Sequence, residues 1–230
     1  MANGSLTWLG HAAFRLDSAQ GKHIYVDPFL NGNPSCPDSE RTPEHVDVIV
    51  VTHGHVDHVG DAVALAQQHK AQVVAQVELK GWLGQQGAPV GQIPGINKGG
   101  SQVIDDIRFT LVNAFHSSSS ADGEYTGESC GLVIRLEDGK TVYFAGDTCV
   151  FGDMQLIARI YKPDVAVLPI GDWFTMGPEE AAVALELLGN PRCVPCHYGT
   201  FPVLTGTPDE LAQKTGAQIE RLEPGDSIEL

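Results

Sequence analysis

The chain is short of positive charge. Fourteen Lys and Arg face 29 Asp and Glu, for a net charge of −15. Proteins that grip nucleic acid neutralise phosphates with basic residues, and no Lys/Arg run is present here. No nucleic-acid partner is expected, and the acidic balance serves solubility. Long apolar runs are missing as well. No stretch reaches the ~18 residues of a membrane span, so no membrane partner is expected. The segment 1–8 lacks the basic-then-apolar order of a secretory signal. The five cysteines, Cys36, Cys130, Cys149, Cys193 and Cys196, are odd in number and irregular in spacing. That argues against a disulfide framework and for a reducing, cytoplasmic compartment. Low complexity is confined to residues 117–120, and no repeat or linker is visible. Residues 1–230 are therefore expected to form a single domain.

What is present is a globular composition. Hydrophobic residues make up 42% of 230, enough for a sizeable core. Residues 6–9, 13–16 and 23–26 read as strands, the last stopped by Asp27-Pro28. Residues 47–52, rich in Val and Ile, read as a strand buried on both faces. Ala62, Leu65 and Ala66 fall at helical spacing within 61–68. A strand over 71–75, a weaker helix over 77–84 and a Gly/Pro-rich loop over 87–100 follow. Residues 107–115 read as a strand ending at His116. Segments 131–136 and 141–145 form a hairpin around Asp138-Gly139, a pair that tolerates positive φ. Residues 154–161 read as a helix and 164–170 as a strand. Residues 178–188 make the clearest helix: Pro178 suits its first turn, Glu179 and Glu180 its positive end, and Gly189 its stop. A strand over 192–196, a helix over 208–214 and strands over 219–222 and 227–230 complete the chain. Strands giving way twice to a strand–helix alternation fit an α/β fold of two packed sheets with helices outside.

The histidines carry the chemistry. Five of nine fall where an expected strand runs out into a loop: His53, His55, His58, His116 and His197. Strand ends gather side chains at one rim, where loops build sites, and a neutral imidazole offers a lone pair to a metal. His53, His55, Asp57 and His58 lie within six positions. Burying so many imidazoles and a carboxylate without compensation would cost several kcal/mol, and a divalent cation removes that cost. Residues two apart on an extended segment face one way, so His53 and His55 can grip one ion while the turn at Asp57-His58 aims at a neighbour. Asp147, flanked by Gly146 at a strand end, suits a carboxylate that approaches a metal closely.

The order His53-x-His55-x-Asp57-His58, His116, Asp147, His197 resembles the metallo-β-lactamase superfamily. The segments Gly10-His11, Thr52-His53-Gly54-His55, Phe115-His116-Ser117, Gly146-Asp147-Thr148 and His197-Tyr198-Gly199-Thr200 are similar to its small metal-dependent hydrolases, a branch related to ascorbate-6-phosphate lactonases. The resemblance covers essentially the whole chain. It implies a four-layered αβ/βα sandwich with one ion on His53, His55 and His116, a second on Asp57, His58 and His197, and Asp147 bridging. Two such ions lower the pKa of a bridging water toward ~7 and yield a hydroxide that attacks an ester, lactone or phosphoester. Asp57 could both ligate and orient that water, and His11 is either a substrate-side hydrogen-bond donor or a partner behind the ligands. Imidazole and carboxylate ligands suit zinc, and equally manganese, iron or nickel. The expected partner is a small-molecule substrate, with a homo-oligomer open.

An oxidoreductase or dioxygenase on this scaffold is disfavoured because the ligand set supplies two ions and no flavin domain is present. A non-catalytic metal-binding descendant is disfavoured because every ligand is in place. Gly127-Glu128-Ser129-Cys130-Gly131 matches a serine-nucleophile elbow, but that elbow needs a strand before it and a helix after it, and a strand follows. Cys193-Val194-Pro195-Cys196-His197 matches a haem-attachment sequence. On a strand, however, positions three apart face opposite ways, so the two cysteines read as core.

Overall fold

A computed structural model describes residues 4–230; Met1, Ala2 and Asn3, part of the segment read above for a leader, lie outside the described residues. Strands β3 (His23–Val26) and β4 (Val48–Val50) show how the apolar pattern builds the layers. Ile24, Val26, Val48 and Val50 point to one side, Tyr25 and Ile49 to the other, and all six are buried. A sheet apolar on both faces needs cover on both.

The inner faces meet each other. The first sheet has the order β12 (Ser227–Glu229), β1 (Ser5–Trp8), β2 (Phe14–Asp17), β3, β4, β5 (Gln72–Val74). The second has the order β11 (Arg192–Cys196), β10 (Val165–Pro169), β9 (Thr141–Phe144), β8 (Cys130–Arg135), β7 (Ile107–Asn113), β6 (Ser101–Ile104). Leu6, Phe14, Leu16, Ile24 and Val50 of the first pack in one cluster with Phe109, Leu132, Ile134 and Phe144 of the second. The outer faces take helices. α2 (Ala62–His69) and α3 (Val77–Gln85) lay Leu65, Leu79 and Leu83 on Tyr25, Ile49 and Val73. α4 (Met154–Tyr161), α5 (Pro178–Leu187) and α6 (Pro208–Ala212) lay Met154, Ile157, Leu185 and Leu211 on Val133, Tyr143 and Leu168. The result is the expected α/β sandwich of four layers. No helix among the described residues is long and apolar enough to cross a membrane.

Both sheets change character midway, and this positions the site. β12, β1, β2 and β3 pair antiparallel, then β3, β4 and β5 run parallel. Likewise β6 to β9 are antiparallel and β9, β10 and β11 parallel. Parallel strands bring their carboxyl ends to one edge, where ligands collect in α/β folds.

Three local expectations differ from the structure. Residues 219–222 form no strand, only a single bridge from Ile219 to Cys193. Cys193 N donates to Gln218 O and Glu220 N to Cys193 O, after which the chain leaves the edge toward the turn in which Asp226 N donates to Glu223 O. Asp57 and His58 sit not in a plain turn but in a one-turn helix, α1 (Val56–Val59), with Gly60 at its end. The strand β6 was not expected, because its side chains are mostly exposed and its apolar pattern weak. Both cysteines of 193–196 are core: Cys193 packs beneath the helices and Cys196 between the sheets. Ser129 is buried and followed directly by β8, so no nucleophile elbow forms.

Candidate metal centre

Seven loops converge at the carboxyl edge of the two sheets. The first sheet supplies His11 between β1 and β2, Asp27 directly after β3, and the run 53–58 after β4. The second supplies His116 after β7, Asp147 after β9, the loop 171–177 after β10 and His197 directly after β11. The extended segment at His53-Gly54-His55 places both imidazoles on one side, with His53 Nε2 3.0 Å from His55 Nδ1. Gly54 is required between them, since a Cβ there would run into the Thr126 side chain. The short helix α1 then turns Asp57 and His58 inward.

Asp147 is the hub. It is almost fully buried, and its Oδ2 lies 3.2 Å from His197 Nε2, 3.4 Å from His58 Nε2 and 3.6 Å from His116 Nε2. Asp57 Oδ2 lies 2.9 Å from His11 Nε2 and 3.7 Å from His197 Nε2. Three groupings could each hold an ion: His53, His55 and His116; His53, His58 and Asp147; and His11, Asp57, His58 and His197. The structure thus gathers every residue singled out in the sequence: His53, His55, Asp57, His58, His116, Asp147, His197 and His11. It places His11 fully buried against Asp57 rather than at the mouth.

Electrostatics divides the imidazoles. Burial and the neighbouring imidazoles push His53 well below its ordinary value, and burial lowers His55 and His116. His11 is lowered to about 4, chiefly by burial. These four are neutral at pH 7 and offer lone pairs. For His58, burial is opposed and outweighed by the charges of Asp147 and Asp27, which raise it well above its ordinary value. His197 likewise is raised to about 9, burial being outweighed by Asp147 and Asp57. Burial would raise both carboxyls, but the facing histidines hold Asp57 and Asp147 far below the carboxylate range.

His58 Nε2 and both ring nitrogens of His197 are buried without a hydrogen-bond partner. Buried polar atoms without partners are rare and need an explanation. Two of these, His58 Nε2 and His197 Nε2, face Asp147 Oδ2 at 3.4 and 3.2 Å without a well-formed hydrogen bond, and imidazole nitrogens gathered on one carboxylate in this way have the chemistry of a divalent-cation site.

Asp27 was not identified as a site residue in the sequence. Its side chain accepts from Thr52 N at 2.8 Å, from Thr52 Oγ1 at 2.7 Å and from His58 Nδ1 at 2.7 Å. It therefore fixes the ring of His58 with Nε2 facing the centre. The available signal was Asp27-Pro28 at a strand end, which also reads as a plain turn. A partner of this kind commonly supports metal affinity by about 10–100-fold. Asp27→Asn is expected to weaken metal binding by that factor. Competition with a chromophoric chelator measures it, and an unchanged affinity would show that His58 is held by other contacts.

Backbone conformation adds a further mark. His11, Asp27 and His197 all take positive φ, at 55°, 47° and 55°. Non-glycine residues held there cost on the order of 1–3 kcal/mol each and gather at functional sites. His197 N donates to His11 O at 2.9 Å, so two of the three brace each other across the sheets.

Comparisons with known proteins agree with this geometry. The model of the beta-lactamase superfamily domain matches residues 22–198. A UPF0173 metal-dependent hydrolase of Herpetosiphon aurantiacus is 48% identical over 236 residues, covering 99% of this chain and 98% of the relative. Igni18, a metallo hydrolase from Ignicoccus hospitalis, superposes with a TM-score of 0.87 at 35% identity, covering 99% of this chain and 98% of its own. CmlA, a diiron β-hydroxylase from Streptomyces venezuelae, shares the fold alone, with a TM-score of 0.74 at 16% identity over 100% of this chain and 55% of its own. Edge-on convergence of five histidines and two aspartates in this order, on this sandwich and with these relatives, leads to one assignment: the chain belongs to the metallo-β-lactamase superfamily.

Proposed function

We propose that the protein is a divalent-metal-dependent hydrolase with a dinuclear centre. His53, His55 and His116 would hold one ion and Asp57, His58 and His197 the other, with Asp147 available to both and zinc the expected metal. The observation that carries this reading is the set of buried, unpartnered imidazole nitrogens aimed at Asp147. The relatives named as metal-dependent hydrolases support it. When bound, such ions acidify a water and polarise the bond under attack.

The chain's own groups do the rest. Neutral His11 donates from Nε2 to Asp57 Oδ2 and fixes that carboxylate in place. Asp57 stays ionised at every working pH and is placed to accept a hydrogen bond from, and so orient, an attacking water. Asp27 and Thr52 orient His58 and His53, Thr52 Oγ1 lying 3.1 Å from His53 Nδ1. The substrate is a small molecule with an ester, lactone or phosphoester bond.

Elemental analysis of the purified protein beside a panel of such substrates tests the reading. The wild type is expected to carry metal and to hydrolyse at least one class. His55→Ala removes one ligand and is expected to lower turnover about 100-fold or more, beyond the upper range seen for supporting partners. Absence of metal after reconstitution, together with undiminished turnover in His55→Ala, would overturn it.

A further inference from the structure

We infer that the centre takes uncharged carbonyl esters or lactones whose non-reacting part is apolar, and that it discriminates against phosphorylated substrates; this rests on the hydrolase reading above. Two independent observations point there.

The first is the apolar rim. Val56 follows ligand His55 and is exposed; Phe115 precedes His116 and is 55% exposed. Phe201, just beyond His197, packs edge-on to the His11 ring at 5.4 Å. Trp173 and Phe174 stand 71% and 54% exposed on the loop after β10. That loop is bound to the ligand segments on both flanks. Met176 N donates to the carbonyl of Thr148, next to Asp147, and Ile170 N to the carbonyl of Cys196, next to His197. Thr148 Oγ1 in turn accepts from Phe115 N at 3.0 Å. Asp172 and Trp173 both take positive φ, at 65° and 60°. Two successive non-glycine residues in that region are costly, and here the conformation leaves an indole and a phenyl ring in water. These exposed apolar side chains lie on segments that carry or flank the histidines and Asp147, and apolar surface beside a polar centre is the usual make-up of a recognition site.

The second observation is charge. The segments 10–14, 27–35, 53–60, 114–120, 145–153, 171–178 and 197–207 contain neither Lys nor Arg. Lys98, beyond them, is committed to Glu128 and Asn113 at 2.9 Å each. A phosphate handle is normally held by Arg or Lys in charge-assisted contacts, and none is offered by these loops. The net charge of −15 further opposes a dianion. What the rim offers is hydrophobic contact.

The test uses the zinc-loaded full chain and 4-nitrophenyl esters of acetate, butyrate and hexanoate, beside 4-nitrophenyl phosphate and bis(4-nitrophenyl) phosphate. The expected result is a kcat/KM that rises about tenfold or more from acetate to hexanoate, carried mainly by KM, since each methylene placed on apolar surface adds affinity. The phosphates are expected to be poor substrates. Trp173→Ser with Phe174→Ser is expected to bring the hexanoate-to-acetate ratio to about one, with metal content unchanged. Turnover with a flat chain-length series, or preference for a phosphate, overturns the inference and leaves the hydrolase reading standing. No turnover of any compound by fully loaded protein defeats both. A double variant whose mass in solution falls while the chain-length series persists identifies the rim as a contact between copies, and also overturns it.

Discussion

Asp147→Asn is expected to abolish function more completely than any single histidine replacement. One carboxylate oxygen faces His58, His116 and His197 within 3.2–3.6 Å, and the residue is almost fully buried. The amide keeps the size and loses the charge. Turnover is expected to fall by more than about 100-fold, the upper range for a supporting partner, and bound metal to fall with it. The fold pays too. Removing one partner of a buried charge pair commonly costs about 3–5 kcal/mol. Here the cost should lie near the lower end, because His58 and His197 can shed their protons rather than remain charged without a partner. Denaturant melts of the ion-free variant measure it. Wild-type stability with activity lost would mean that Asp147 serves only the ions.

Ion loading is expected to be the second large effect, visible in both protons and heat. In ion-free protein at pH 7 the imidazoles of His58 and His197 are held protonated. A metal takes only deprotonated ligands, so loading should expel a proton from each. The His197 proton is no longer there to be expelled once pH passes about 9. Titration calorimetry in buffers of different ionisation enthalpy reads the count. The same groups fix the pH response of ion-free stability. A histidine whose value is raised on folding contributes fully below its ordinary 6.5, and that contribution is lost as pH climbs through about 9. Loaded protein should lack this decline. Ion present at 100 times its Kd adds about 2.7 kcal/mol, which for a chain this long is on the order of 5–10 °C in Tm. A Tm indifferent to chelator, with no proton released on adding zinc, would remove the basis for the centre.

How much of this could be read without coordinates depends on range. The His/Asp run 53–58 is legible because its density within six positions has no cheap structural explanation, and the strands before it are strongly apolar. The layers follow from segments such as 47–52, where Val and Ile on both faces require two covers. Asp27 is hidden because aspartate before proline at a strand end is ordinary turn chemistry; only the position of His58, 31 residues later, gives it a role. The burial of His11 against Asp57 is likewise a fact of pairing between distant loops. β6 escaped because an edge strand with exposed side chains carries little hydrophobic signal. Residues 219–222 misled in the opposite sense: their composition suits a strand, but one bridge is all they form beside β11.

The bond from His197 N to His11 O ties a residue near the start of the chain to one near its end, and β1 pairs with β12, the last strand. A nascent chain therefore cannot complete this pairing until residues 227–229 have left the ribosome. Through most of synthesis His58 waits for Asp147 and His197, which are supplied about 90 and 140 residues later. Contacts so distant in sequence form late and slowly, so the complete constellation can assemble only once residue 197 is in place. A chain truncated before residue 197 would retain the conspicuous histidine run and lack the grouping that His197 completes with His11, Asp57 and His58.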